Sequence, residues 1–60
     1  MDDATLNLIR TKTRAFYDTL PGLREDIARA KAAGIDVSEP ERLLNDAEAQ
    51  ADKIKAVYGL

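Results

Sequence analysis

The chain has no cysteine, no histidine and no tryptophan. Without cysteine no disulfide can staple it, and without either residue the usual zinc ligand sets are excluded. The same absences remove the familiar nucleophile–base pairs of covalent catalysis. Aromatics are confined to Phe16, Tyr17 and Tyr58. No apolar run approaches the ~20 residues that a membrane-spanning helix needs. The start, Met1-Asp2-Asp3, lacks the basic and apolar segments of a secretory leader. A cytoplasmic setting is therefore expected, or the host cytoplasm if the gene is viral, and the chain reads as a whole small protein.

Sixty residues allow one domain, 1–60. A domain of this size buries only about 60% of the surface of its unfolded chain, so it is marginal alone. With staples and metals excluded, good helix packing or self-association must supply the stability. Of 27 apolar residues, ten are alanine, and the large ones are mainly seven leucines and four isoleucines. So thin a core points toward a homo-oligomer.

Two prolines and three glycines punctuate the chain. Gly34 suits the left-handed position that ends a helix. Ser38-Glu39-Pro40-Glu41 fits a capping box, with Ser38 bonded to the Glu41 N–H and the Glu41 side chain to the Ser38 N–H. Beyond it, Leu43, Leu44, Ala47, Ala51, Ile54, Val57 and Tyr58 make one helical stripe, and Gly59 is a natural stop. The short Gly34–Ser38 connection implies antiparallel neighbours.

The first half is open to two readings. Leu6, Ile9, Thr13, Phe16, Leu20, Leu23, Ile27, Ala30 and Gly34 alternate steps of three and four, a heptad-like seam. Pro21-Gly22 lies inside it, and a proline there costs about 3 kcal/mol or more in a helix. The expected fold is all-α in either case. One form is a small three-helix bundle with helices at about 3–19, 21–33 and 39–58; the other is a helical hairpin whose first helix is kinked at Pro21-Gly22. Charge placement favours the break: Glu25 and Asp26 would open a separate helix, and Arg29 and Lys31 would close it. The unbroken seam favours the hairpin.

Candidate chemistry is sparse. Ser38, the only serine, is explained by capping. Glu41, Glu48 and Asp52 fall on the solvent side of the last helix, and Asp36, Glu39 and Glu41 lack the spacing of a calcium loop. No enzyme, metal, cofactor, membrane or small-molecule substrate is expected. Arg10, Lys12 and Arg14 form a short basic segment that could contact nucleic acid, but the net charge of −2 is opposite to the usual footprint. Charge is also uneven: residues 10–31 carry six Lys/Arg against three Asp/Glu, and residues 32–60 carry three against six. Such asymmetry suits helices that pair by charge.

One feature exceeds the needs of a core. Leu8 lies about 100° off the Leu6–Ile9–Phe16 face. Ala4, Leu8, Thr11 and Ala15 form a second, narrow stripe of small and apolar side chains. The expected function is that of a non-catalytic protein-protein interaction module, an adaptor, inhibitor or assembly component. It would self-associate or dock helices through Ala4, Leu8, Thr11 and Ala15, with Tyr17 and Val57. The alternative is a small nucleic-acid-binding regulator using Arg10, Lys12 and Arg14.

Overall fold

The structure, a computed structural model, describes residues 2–60; Met1 lies outside them. Two helices account for the fold, α1 (Asp3–Ala32) and α2 (Ser38–Tyr58), and no strand is present among the described residues. The Asp2 carboxylate caps α1 by accepting the Thr5 backbone N–H at 2.7 Å. At the other end Gly34 adopts φ +87°, and the Ile35 N–H reaches back five residues to the Ala30 carbonyl at 3.0 Å. This closing pair of turns satisfies the last carbonyls and reverses the chain. Gly59, at φ +69°, ends α2 in the same left-handed way.

Two local expectations are corrected. The break at Pro21 does not occur: α1 runs unbroken from Asp3 to Ala32, so helices at 3–19 and 21–33, and with them the three-helix bundle, are replaced by one 30-residue helix. The reason lies on both sides of the proline. Tyr17, one turn before it, bonds Asp52, and Arg24, one turn after, bonds Glu48 at 2.9 Å. Both turns are thus held to the same partner helix. The Thr19 hydroxyl donates to the carbonyls of Ala15 (3.2 Å) and Phe16 (2.9 Å), giving the turn before Pro21 a local donor.

The capping box at Ser38 does not form either. Asp36 takes that part: its Oδ1 accepts from the Ser38 N–H at 3.0 Å and from the Ser38 hydroxyl at 2.6 Å. The Glu41 N–H bonds the Val37 carbonyl, while the Glu41 carboxylate reaches Lys31 at 3.7 Å. Asp36 is a full anion two residues upstream, so it outcompetes the reciprocal Ser–Glu arrangement for the free donors.

The helices run antiparallel, as the pairs Tyr17–Asp52, Arg24–Glu48 and Lys31–Glu41 require. The particle is a rod, 47 × 16 × 13 Å. Its long axis is that of α1, because 30 residues at the helical rise span about 45 Å. The end of α2 comes level with Arg10 and Thr13, so the first turns of α1 project beyond it. The core is small: Leu20, Val37, Leu44, Ala51 and Thr13 are buried, and among the described residues no side chain is fully buried.

Candidate docking face

Heptad rows explain what each side of the hairpin does, because residues seven apart fall on nearly the same line of a helix. On α1 the row Thr13–Leu20–Ile27 points at α2, and on α2 the row Leu44–Ala51–Tyr58 points back. Thr13, Leu20, Leu44 and Ala51 are buried there. To one side of this contact lie Tyr17, Arg24 and Lys31 of α1 with Glu41, Glu48 and Asp52 of α2. They form a polar edge that ties the two helices together. Arg24 also donates to Asn45 at 3.2 Å. The Tyr17 hydroxyl donates to the Asp52 carboxylate, and the Lys55 ammonium sits 5.6 Å from the centre of the Tyr17 ring. That hydrogen bond, with desolvation and the nearby charges of Asp52 and Glu48, pushes the Tyr17 phenol up to about 12.

The opposite side is apolar and open. From α1 it takes the row Ile9–Phe16–Leu23–Ala30, and from α2 Leu43, Ala47, Ile54 and Val57. Antiparallel packing puts both rows on the same side of the rod, since the polar rows share the other. Leu23 is 45% exposed, Leu43 55% and Val57 71%, while Ile9, Phe16, Ala30 and Ala47 are half-buried. No ion pair among the described residues lies on this face. Lys12, four residues before Phe16, and Asp26, three after Leu23, border it on α1.

The residues singled out from sequence fall in several places. Leu8 is 58% exposed, and Ala4, Thr11 and Ala15 are exposed as well. Their stripe runs along the outer flank of α1, away from α2, with Leu8 beside the open face. Val57 belongs to the open face itself. Tyr17 does not: it is half-buried and spent on Asp52 inside the hairpin. Arg10 and Arg14 come together with Lys55, Tyr17 and Leu60 around an open groove of about 540 Å³. Lys12 stands on another side of α1 and takes no part in that groove. No group of three or more potential metal ligands is found among the described residues, and none of their helices is long and apolar enough to cross a membrane.

The open face was missed as a surface because its residues belong to the seam. Leu23 and Ile54 look like core in any reading that folds a third helix over them. Only the continuity of α1 through Pro21 leaves them bare. Comparison with family models, with curated proteins and with solved structures returns no match.

Proposed function

We propose that this chain is a non-catalytic helical interaction module that works by docking its apolar face onto another helical surface, by self-association or on a partner chain. The single observation that carries the reading is the division of the hairpin into an ion-paired edge and an apolar face with Leu23, Leu43 and Val57 open to solvent. A two-helix hairpin can bury each helix only against the other, whereas larger bundles enclose a core among several facing helices. Leu8 and Ala15 flank the face and widen it, so the contact extends onto the Ala4–Leu8–Thr11–Ala15 stripe.

Sedimentation velocity at micromolar concentration tests the reading. The native chain is expected to assemble, and Leu23→Glu to remain dispersed while keeping its hairpin helicity. A native chain that stays monomeric, with thermal stability unchanged in Leu23→Glu, overturns the self-associating form of the reading. A second reading, nucleic-acid contact through Arg10, Lys12 and Arg14, has one observation in favour, the convergence of Arg10 and Arg14 with Lys55. It requires retention on DNA or RNA at low salt that falls steeply as salt rises.

A further inference from the structure

We infer that the occupant of the apolar face is a second copy of the same chain, arranged about a two-fold axis that crosses the helices, so that the two Gly34–Ser38 turns lie at opposite ends of a four-helix bundle. The inference rests on the docking reading and names its partner and geometry.

Surface area is the first argument. A compact protein of 6.6 kDa exposes about 3,900 Å² by the usual scaling. This chain exposes 4617 Å². The excess of about 750 Å² matches the ~800 Å² that each partner buries in a standard interface. A second hairpin of equal length offers a face of matching size.

Charge selects the orientation. Every Lys/Arg that forms an ion pair among the described residues lies near the turn: Arg24, Arg29, Lys31 and Arg42. Arg10, Lys12, Arg14, Lys53 and Lys55, which form none, all lie toward the other end. The turn half, residues 19–48, holds four Lys/Arg and seven Asp/Glu, a net −3. The remaining residues hold five Lys/Arg and four Asp/Glu, a net +1. With both turns at one end, like would lie over like. With the turns at opposite ends, the less acidic half of each copy lies over the acidic half of the other, and Lys12, which borders the apolar face three residues after Ile9 and four before Phe16, comes over that acidic half; Arg10, Arg14 and Lys55 stay on the Tyr17 side, away from the contact.

The overhang of α1 agrees. An axis across the helices stacks α1 on α1 of the second copy, antiparallel, along its whole length. Centred between Thr19 and Leu20, it sets Phe16 against Leu23 of the second copy and Ile9 against Ala30. It also brings Lys12 near Asp26 of the second copy. The same axis crosses α2 near Asp52 and stacks α2 on α2 of the second copy, antiparallel, with Ile54 of each copy close to the axis. The first turns of α1, which α2 does not reach, then rest on the turn end of the other copy, where Ile35 and Leu43 are exposed.

The test is a pulsed electron-spin distance on Ala32→Cys carrying a nitroxide, the only thiol in the chain, together with its sedimentation mass. Ala32 is exposed at the end of α1. The inference requires a dimer with labels roughly 35–40 Å apart, from about 12 residues on each side of the axis at the helical rise. A dimer with labels closer than ~25 Å, from neighbouring helices about 10 Å apart, keeps the docking reading and overturns this arrangement. A monomer at 100 µM, as roughly a hundredfold excess over a micromolar Kd, overturns the second copy as occupant and self-association with it. A mass above a dimer overturns it too.

Discussion

Replacing Pro21 by alanine tests the step on which the open face depends. Pro21 is exposed, and it sits near the middle of a continuous 30-residue helix. Inside a helix proline is about 3 kcal/mol less favourable than alanine, because it removes one hydrogen bond and crowds the carbonyl four residues back, here that of Tyr17. Alanine also frees the unfolded chain, which returns about 0.4–1 kcal/mol to that state. The net expectation is a stabilisation of about 2 kcal/mol. A domain near 60 residues gains about 8 °C per kcal/mol, so the thermal midpoint should rise by roughly 15 °C. Far-UV circular dichroism melts of both proteins at matched concentration measure it. If Pro21 instead opened a separate helix, it would occupy the position where proline is preferred, and alanine there would be neutral or mildly destabilising. An unchanged or lower midpoint would therefore refute the continuous helix and return the apolar seam to the interior of a three-helix fold.

Two further expectations concern pH. Asp2 and Asp36 are held below the ordinary carboxylate value by the N–H and O–H groups of Thr5 and Ser38 that they accept. Groups depressed by folding lend stability above their unfolded pKa of about 4 and lose it as pH falls through their folded values. Helicity should thus weaken below about pH 4, and the double variant Asp2→Asn, Asp36→Asn should flatten that limb of a dichroism titration. Tyr17 works at the other extreme. Its phenol is raised to about 12, so the stability it lends is complete below about pH 10 and fades as pH rises toward the folded value. In Tyr58→Phe, absorbance should show the remaining tyrosine ionising near 12, and adding Asp52→Asn should bring it down; a titration near 10 in Tyr58→Phe itself would mean that the Tyr17–Asp52 bond is absent.

Local signals in the sequence were sound where one residue decides the geometry. Gly34 and Gly59 take positive φ because only glycine enters that region without strain, and both helices end where those residues stand. The Leu44–Ala51 stripe faces inward as its spacing implies. What failed was competition. Ser38 and Glu41 carry the right spacing for a capping box, but Asp36 takes the Ser38 donors. Pro21 carries a genuine local penalty, but contacts to residues 24 and 35 positions away hold both its flanking turns against α2. A local reading cannot weigh such pairs before the helices are placed. The candidate surface inherited that limit: Leu8 and its stripe stand out because they lie off the seam, while Leu23 and Ile54, within it, pass for interior.

The central claim is that the hairpin is half of a structure, its apolar face made to be covered by a second copy. Thermal unfolding across a hundredfold range of concentration tests this most directly. A dimer that folds as it assembles gains stability by mass action, so its midpoint must climb with concentration. The account predicts a steady rise from micromolar to submillimolar protein, abolished in Leu23→Glu. A midpoint independent of concentration would contradict it, because assembly would then add nothing to stability.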